Sequence, residues 1–243
     1  MSVQETFSYI GDELDTFSHA VNWKAYFRSR FAPLLRGRVL EVGAGIGGTT
    51  QVLCDGEQTE WVALEPDGGL AERMREEVQG GAFPVPVDVR EGTLSEIDTA
   101  ESFDAILYID VLEHIEDDAG ELARVAERLR PGGCAIVLCP AHQFLFTPFD
   151  EAIGHFRRYN RSMYRAITPA SLVLERCEYL DAAGMLLSLG NRLLLKSSEP
   201  KVSQVKLWDR VFVPISRVLD PLCGRTLGKS VLGVWRKPAE NER

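Results

Sequence analysis

The chain has no Cys-x-x-Cys pair, and its five cysteines (Cys54, Cys134, Cys139, Cys177 and Cys223) form an odd, scattered set. That usage excludes a disulfide framework and a cysteine-built zinc site, and it fits reduced thiols in a cytoplasm. Long hydrophobic runs are missing too. The apolar stretch Met185 to Leu195 is broken by Ser188, Gly190, Asn191 and Arg192, far short of the roughly 20 residues a membrane span requires. Residues Met1 to Gly11 show no basic segment followed by an apolar one, so no signal peptide is expected. Positive charge is in short supply. Across 243 residues, 27 Lys and Arg face 36 Asp and Glu, a net charge of −9. A surface of that sign repels phosphate backbones, which argues against nucleic acid as a partner. No internal repeat or low-complexity tract is present. What remains is a cytoplasmic protein without stable membrane insertion, monomeric or homodimeric, with enough apolar side chains (45%) to bury a core.

Seven short β-rich runs alternate with helical patterns: 38–42, 61–65, 85–89, 103–109, 134–138, 175–180 and 231–235. Several are continuously apolar, as expected of strands covered on both faces. The alternation predicts an α/β fold with a parallel sheet. Helices are expected at 48–53, 69–78 and 117–130, the last with Leu122, Val125, Ala126 and Leu129 at helical spacing and a stop at Pro131-Gly132-Gly133. Residues 1–36 read as an aromatic-rich helical cap, and 140–165 and 184–229 as insertions completing that cap over one domain spanning 1–243.

The strongest local signal is Val39-Leu40-Glu41-Val42-Gly43-Ala44-Gly45-Ile46-Gly47-Gly48. A strand runs into closely spaced glycines and then a helix. Glycine tolerates the positive φ of so tight a turn, and a Cβ would block a ligand lying on it. The N–H groups of the new helix then face that ligand. Glu65 follows Gly43 by 22 residues, placing a carboxylate where it can accept both ribose hydroxyls of a nucleotide. That geometry suits NAD and S-adenosylmethionine (SAM) equally. Three features separate them: Glu41 inside the first strand, the extra glycine at Gly47, and Leu129-Arg130-Pro131-Gly132-Gly133 ahead of a strand. The chain also lacks a Tyr-x-x-x-Lys pair for hydride chemistry.

With these motifs, the chain resembles the class I SAM-dependent methyltransferases over residues 36–183 and the final strand. Leu112-Glu113-His114-Ile115 places it near the small-molecule group that includes ubiquinone and menaquinone methyltransferases. The resemblance implies a Rossmann-like, seven-stranded, mostly parallel sheet with an antiparallel last strand and helices on both faces. It implies methyl transfer from SAM to carbon, oxygen or nitrogen of a small metabolite in biosynthesis, leaving S-adenosylhomocysteine, with no metal. Gly43, Ala44, Gly45 and Gly47 would line the methionine part of SAM, with Glu41 nearby. Glu65 would hold the ribose, with Pro66 and Asp67 beside the adenine. Gly92, Thr93 and Leu94 match the adenine-contacting turn, although Thr93 stands where an Asp is common; Asp88 could replace it. The backbone of Tyr108 and Ile109 would accept from the SAM ammonium, with Asp110 and His114 just beyond. An NAD(P)-dependent oxidoreductase and a non-catalytic SAM-binding module are the alternatives.

A sulfonium methyl is already electrophilic, so the protein's task is to align the acceptor, which can supply roughly 7–11 kcal/mol, and to remove a proton where the acceptor carries one. The crevice of an open α/β sheet lies at the carboxyl ends of its strands, which points to the 140–165 insertion. Its candidate proton acceptors are Asp150, His155 and Tyr159. Candidate acceptor-binding residues are Tyr9, Trp23, Tyr26, His142, Phe146, Arg157 and Arg158, with pairing to Asp150, Glu151 or helix carboxylates as the structural alternative for the two arginines.

Overall fold

The computed structural model describes residues 13–194 and 201–239. All seven expected strands are present: β1 Gly37–Val42, β2 Gln58–Glu65, β3 Val87–Glu91, β4 Phe103–Ile109, β5 Leu129–Pro140, β6 Val173–Leu180 and β7 Ser230–Arg236. They form one sheet in the order β3-β2-β1-β4-β5-β7-β6, with β7 antiparallel to both its neighbours. The helices are α1 Glu13–Ser18, α2 Val21–Phe31, α3 Thr50–Leu53, α4 Gly68–Gln79, α5 Asp118–Arg128, α6 Pro148–Ala152, α7 Arg161–Ala166, α8 Ala182–Leu194, α9 Val202–Leu207 and α10 Val213–Leu222.

The two-residue period of a strand explains why the central strands read as unbroken apolar runs. On β4, Ala105 and Leu107 enter one core while Ile106 and Tyr108 enter the other. The first core is closed by Trp23, Phe27 and Phe31 of α2 and Met74 of α4. The second is closed by Leu122, Val125 and Ala126 of α5 and Tyr164 of α7. Helix α5 starts where Asp117 accepts the Gly120 N–H at 3.0 Å, an ordinary side-chain cap.

The Pro131-Gly132-Gly133 stop behaves differently from a simple turn. It lies inside β5 as a bulge, where the register against β4 jumps from Phe103↔Leu129 to Ala105↔Cys134. A Cβ on Gly133 would stand 2.9 Å from the Arg130 carbonyl and 3.1 Å from that of Asp104. Glycine is what lets the two backbones approach.

The 184–229 stretch forms most of α8, then α9, a π-helical turn Trp208–Phe212 and α10, the last three as one continuous helical run. Buried acids pin this assembly to helix N-termini. Asp209 accepts from the Asn22 N–H at 3.1 Å and the Trp23 N–H at 2.8 Å. It supplies the cap that Ala20, at the head of α2, has no side chain to make. Asp220 accepts from the Tyr26 hydroxyl and the Asp181 N–H, both at 2.7 Å, and from the Ala182 N–H at 2.9 Å. Asp181 in turn accepts from Ser216 Oγ at 2.6 Å and Trp208 Nε1 at 2.8 Å. Among the described residues no helix is long and apolar enough to cross a membrane. All five cysteines are free.

Candidate active site

The carboxyl ends of β1, β2, β3 and β4 converge on one place. After β1, Gly43, Gly45 and Gly47 all adopt positive φ (71°, 56° and 80°). The turn is bound to β2 by the Gly43 N–H, which donates to the Leu64 carbonyl at 2.7 Å. At the end of β2 the Glu65 carboxylate is 5% exposed and spans the crevice floor. One oxygen accepts the Gly45 N–H at 2.8 Å and the other the Asp67 N–H at 3.0 Å. The Glu65 carbonyl accepts the Gly92 N–H at 3.0 Å, tying in the end of β3. Burial pushes the Glu65 pKa up, and the Asp67 and Gly45 amides oppose that shift. Each oxygen of an ionised carboxylate has two acceptor sites, so two remain for ligand hydroxyls. Leu14 of α1 lies over the turn, 3.5 Å from where a Gly45 Cβ would be. Val111, just past β4, would collide with a Gly43 Cβ at 2.5 Å.

Beyond β4 a second group of side chains assembles. Asp110 (φ 54°) is followed by the short helical turn Leu112–His114. The 140–165 insertion docks there through the Phe156 N–H, which donates to the Glu113 carbonyl at 2.9 Å. This brings the His155 ring edge-on to His114, centroids 4.5 Å apart. His155 Nδ1 is 3.0 Å from Asp150. Asp150 is gripped by Arg158 through both oxygens, at 2.7 and 2.8 Å, and by the Thr147 N–H and hydroxyl. Burial would raise the Asp150 pKa, but the hydrogen bonds from His155 and Arg158 win and hold it well below the carboxylate range. On its other side, His155 Nε2 is 3.8 Å from Glu113. Glu113 is fully buried and neither of its oxygens has a hydrogen-bond partner of regular geometry. Burial drives its pKa well above the usual carboxylate value, which favours the protonated form. Burial and the neighbouring His155 lower the His114 pKa to about 4, leaving that ring neutral.

The sequence reading expects no metal, yet Glu113, His114 and His155 present donor atoms all within 4.8 Å of one another. Two imidazoles and a carboxylate are a set that could hold a divalent transition ion. Glu113 is visible in the sequence only as part of its Leu-Glu-His-Ile run. Its contact with His155 depends on the docking of a distant insertion.

The other expected residues scatter by role. Glu41 is buried and accepts from Thr50 Oγ1 at 2.6 Å and Trp61 Nε1 at 3.0 Å. Asp67 caps α4 by accepting the Leu70 N–H at 2.9 Å, with Pro66 beside it. Thr93 donates its N–H to Glu96 at 2.6 Å, with Leu94 buried behind it. Asp88 is bound by Arg90 at 2.7 Å. Tyr108 and Ile109 end β4 in register with Val137 and Leu138. Tyr159 makes no hydrogen bond to His155 or Asp150: fully buried, its hydroxyl donates to Asp118 at 2.8 Å, and burial raises its pKa. Arg157 pairs with Asp118 at 2.5 Å, so both arginines of the insertion are paired with carboxylates. Trp23 and Tyr26 are core residues, packed edge-on at 6.1 Å. His142 is sandwiched between Phe144 and Tyr179, at 5.0 and 4.6 Å, with Phe146 half-buried nearby in the chain. Tyr9 lies outside the described residues.

Comparison with known proteins agrees with this architecture. Residues 40–135 match a family model described as a methyltransferase domain. The ubiquinone biosynthesis O-methyltransferase of Rhodopseudomonas palustris (strain HaA2) is 30% identical over 105 residues, 41% of this chain; the match spans only 38% of that relative's length. Among solved structures, the methyltransferase complexed with the Trm112 activator in Haloferax volcanii superposes with a TM-score of 0.62 at 15% identity, covering 98% of this chain and 99% of that one. The N-methyltransferase NodS of Bradyrhizobium japonicum WM9, in complex with S-adenosylhomocysteine, gives 0.55 at 14% identity over 88% and 84% of the two chains. The matched stretch, from β1 into β5, contains the glycine turn and Glu65, and over it the chain is similar to methyltransferase domains, with a methyltransferase-like fold throughout.

Proposed function

We propose that the protein transfers the methyl group of SAM to a nucleophilic atom of a small-molecule metabolite. The observation that carries this reading is the buried Glu65 carboxylate beside a glycine turn at positive φ, with two acceptor sites left over for ribose hydroxyls. The residues fit that ligand: Gly43, Gly45 and Gly47 hold the turn at positive φ, where a Cβ on Gly43 or Gly47 would meet Val111 or Met74, and the buried Glu65 carboxylate at the edge of the turn keeps acceptor capacity for hydroxyls. When bound, SAM supplies an electrophilic methyl group.

The chain's own residues then position and deprotonate. Glu65 and the turn Gly43–Gly47 hold the ribose and methionine ends; Pro66, Asp67, Gly92, Thr93 and Leu94 border the adenine. Asp110 and His114 face the space past β4. Asp150 fixes His155 with its Nδ1–H inward, leaving Nε2 as the base for an acceptor that must lose a proton. Oxygen acceptors are the first class to assay, since the curated relative is an O-methyltransferase. A cytoplasmic setting and a monomer or homodimer complete the proposal. The test is calorimetric titration with SAM and S-adenosylhomocysteine, followed by methyl-transfer assays on phenolic, carboxylic and amine acceptors. Failure of the chain to bind either compound refutes the reading.

A further inference from the structure

The continuous helical run 202–222 is apolar on two opposite faces. Val205, Trp208, Val213, Ser216 and Asp220 point into the fold. Leu207, Val211, Ile215, Val218 and Leu222 recur every three or four residues on the outside, with Leu222 78% and Val218 61% exposed. Core packing explains the first stripe and leaves the second uncovered. The outer stripe continues into a groove of about 300 Å³ between α8 and α10, lined by Met185, Leu186, Leu219, Leu222 and Leu227.

Charge is distributed in a matching way. Residues 201–229 carry six cations (Lys201, Lys206, Arg210, Arg217, Arg225, Lys229) and two acids, a balance of +4 inside a chain of −9. Both acids, Asp209 and Asp220, are buried and hydrogen-bonded inward. No acidic side chain of this stretch therefore reaches the outer face. Lys206, Arg210 and Arg217, spaced four and seven residues apart, form a row along one border of the apolar stripe. Among the described residues, Lys201, Lys206, Arg210 and Arg217 make no ion pair.

We propose that this face docks the protein, peripherally, on an anionic lipid surface. An amphipathic helix of this type lies in the plane of a bilayer interface, its apolar side chains below the headgroups and its cations against anionic ones. Charge argues for lipid over a second copy. A two-fold contact through the same face would set Arg210 and Arg217 against their own counterparts, whereas an anionic headgroup layer complements them. The inference is independent of the methyl-transfer reading, because it uses none of the residues assigned to that site.

The experiment is vesicle co-sedimentation of the full chain with phosphatidylcholine vesicles, with or without phosphatidylglycerol, in parallel with sedimentation velocity without lipid. Binding is expected only with phosphatidylglycerol and should be reversed by about 0.5 M salt. Replacing both arginines (Arg210→Glu with Arg217→Glu) should weaken partition roughly thirtyfold or more, and Val218→Asp about tenfold. All three substituted positions are solvent-facing, and circular dichroism confirms that each variant remains folded. Equal binding to both vesicle types, retained binding by both variants, or no vesicle binding overturns the proposal. So does a lipid-free dimer dissolved by the same substitutions without any vesicle association.

Discussion

The carboxylate of Glu65 accepts the backbone N–H of Gly45 across 2.8 Å, joining the end of the second strand to the turn after the first. The residue proposed to hold the ribose therefore also fixes the shape of the turn proposed to line the methionine part of SAM. Glu65→Ala is expected to abolish calorimetric SAM binding while the chain still folds. Two buried amides lose their acceptor, so unfolding in urea should cost about 2 kcal/mol less than in the wild type. Near-wild-type SAM affinity in a folded Glu65→Ala protein would remove the ribose assignment.

Glu41 offers a separate test, through pH. Burial raises its pKa to about 7, against hydrogen bonds from Thr50 and Trp61 that pull it down. An acid whose folded pKa lies above its unfolded value binds more protons when folded. Its contribution is then most favourable at low pH and is lost as pH rises from about 4.5 to about 7. The loss is on the order of 3 kcal/mol at most. Denaturant titrations at pH 5 and pH 8 should show this slope in the wild type and not in Glu41→Gln. An identical pH dependence in the two proteins would show that Glu41 ionises normally.

Sequence alone revealed the strands and the glycine turn because their signals are local: apolar continuity, closely spaced glycines and an acid 22 residues downstream of Gly43. Gly133 was readable as a breaker but not as a bulge, since its neighbour is the Asp104 carbonyl on another strand. The roles of Asp209, Asp220 and Glu113 depend on contacts across the chain. Asp209 caps a helix 187 residues away from it in sequence at Asn22, and no periodicity encodes that. The pairs Arg157–Asp118 and Arg158–Asp150 show the structural one of the two roles that composition leaves open for these arginines, and it rests on partners that folding brings together.

Those long-range acids should be costly to remove. Asp220→Ala would remove the acceptor of the Tyr26 hydroxyl and of the N–H groups of Asp181 and Ala182, three buried donors. At about 1 kcal/mol or more for each donor, a loss of about 3 kcal/mol is expected. Proteolysis should reach the 201–229 stretch first, because Asp220 joins it to α2 and to the start of α8. A variant with unaltered stability and the wild-type cleavage pattern would mean that the cap is held by apolar packing alone.

His155 has a neighbour on each side that constrains its chemistry. Asp150, kept ionised by Arg158, locks Nδ1–H inward; burial of Glu113, 3.8 Å from Nε2, favours its uncharged form. The lone pair at Nε2 is thus available to a proton on the acceptor. If the acceptor is a hydroxyl or an amine, His155→Asn should reduce the single-turnover rate about 10²–10⁴-fold. SAM affinity should stay within about twofold, since His155 lies past β4 and the proposed adenosyl site is at the ends of β1, β2 and β3. Asp150→Asn should fall between the wild type and His155→Asn in rate and should also lose stability, because Arg158 is left without its bidentate partner. An unchanged single-turnover rate in His155→Asn would place the base elsewhere, or show that the acceptor carries no proton to remove.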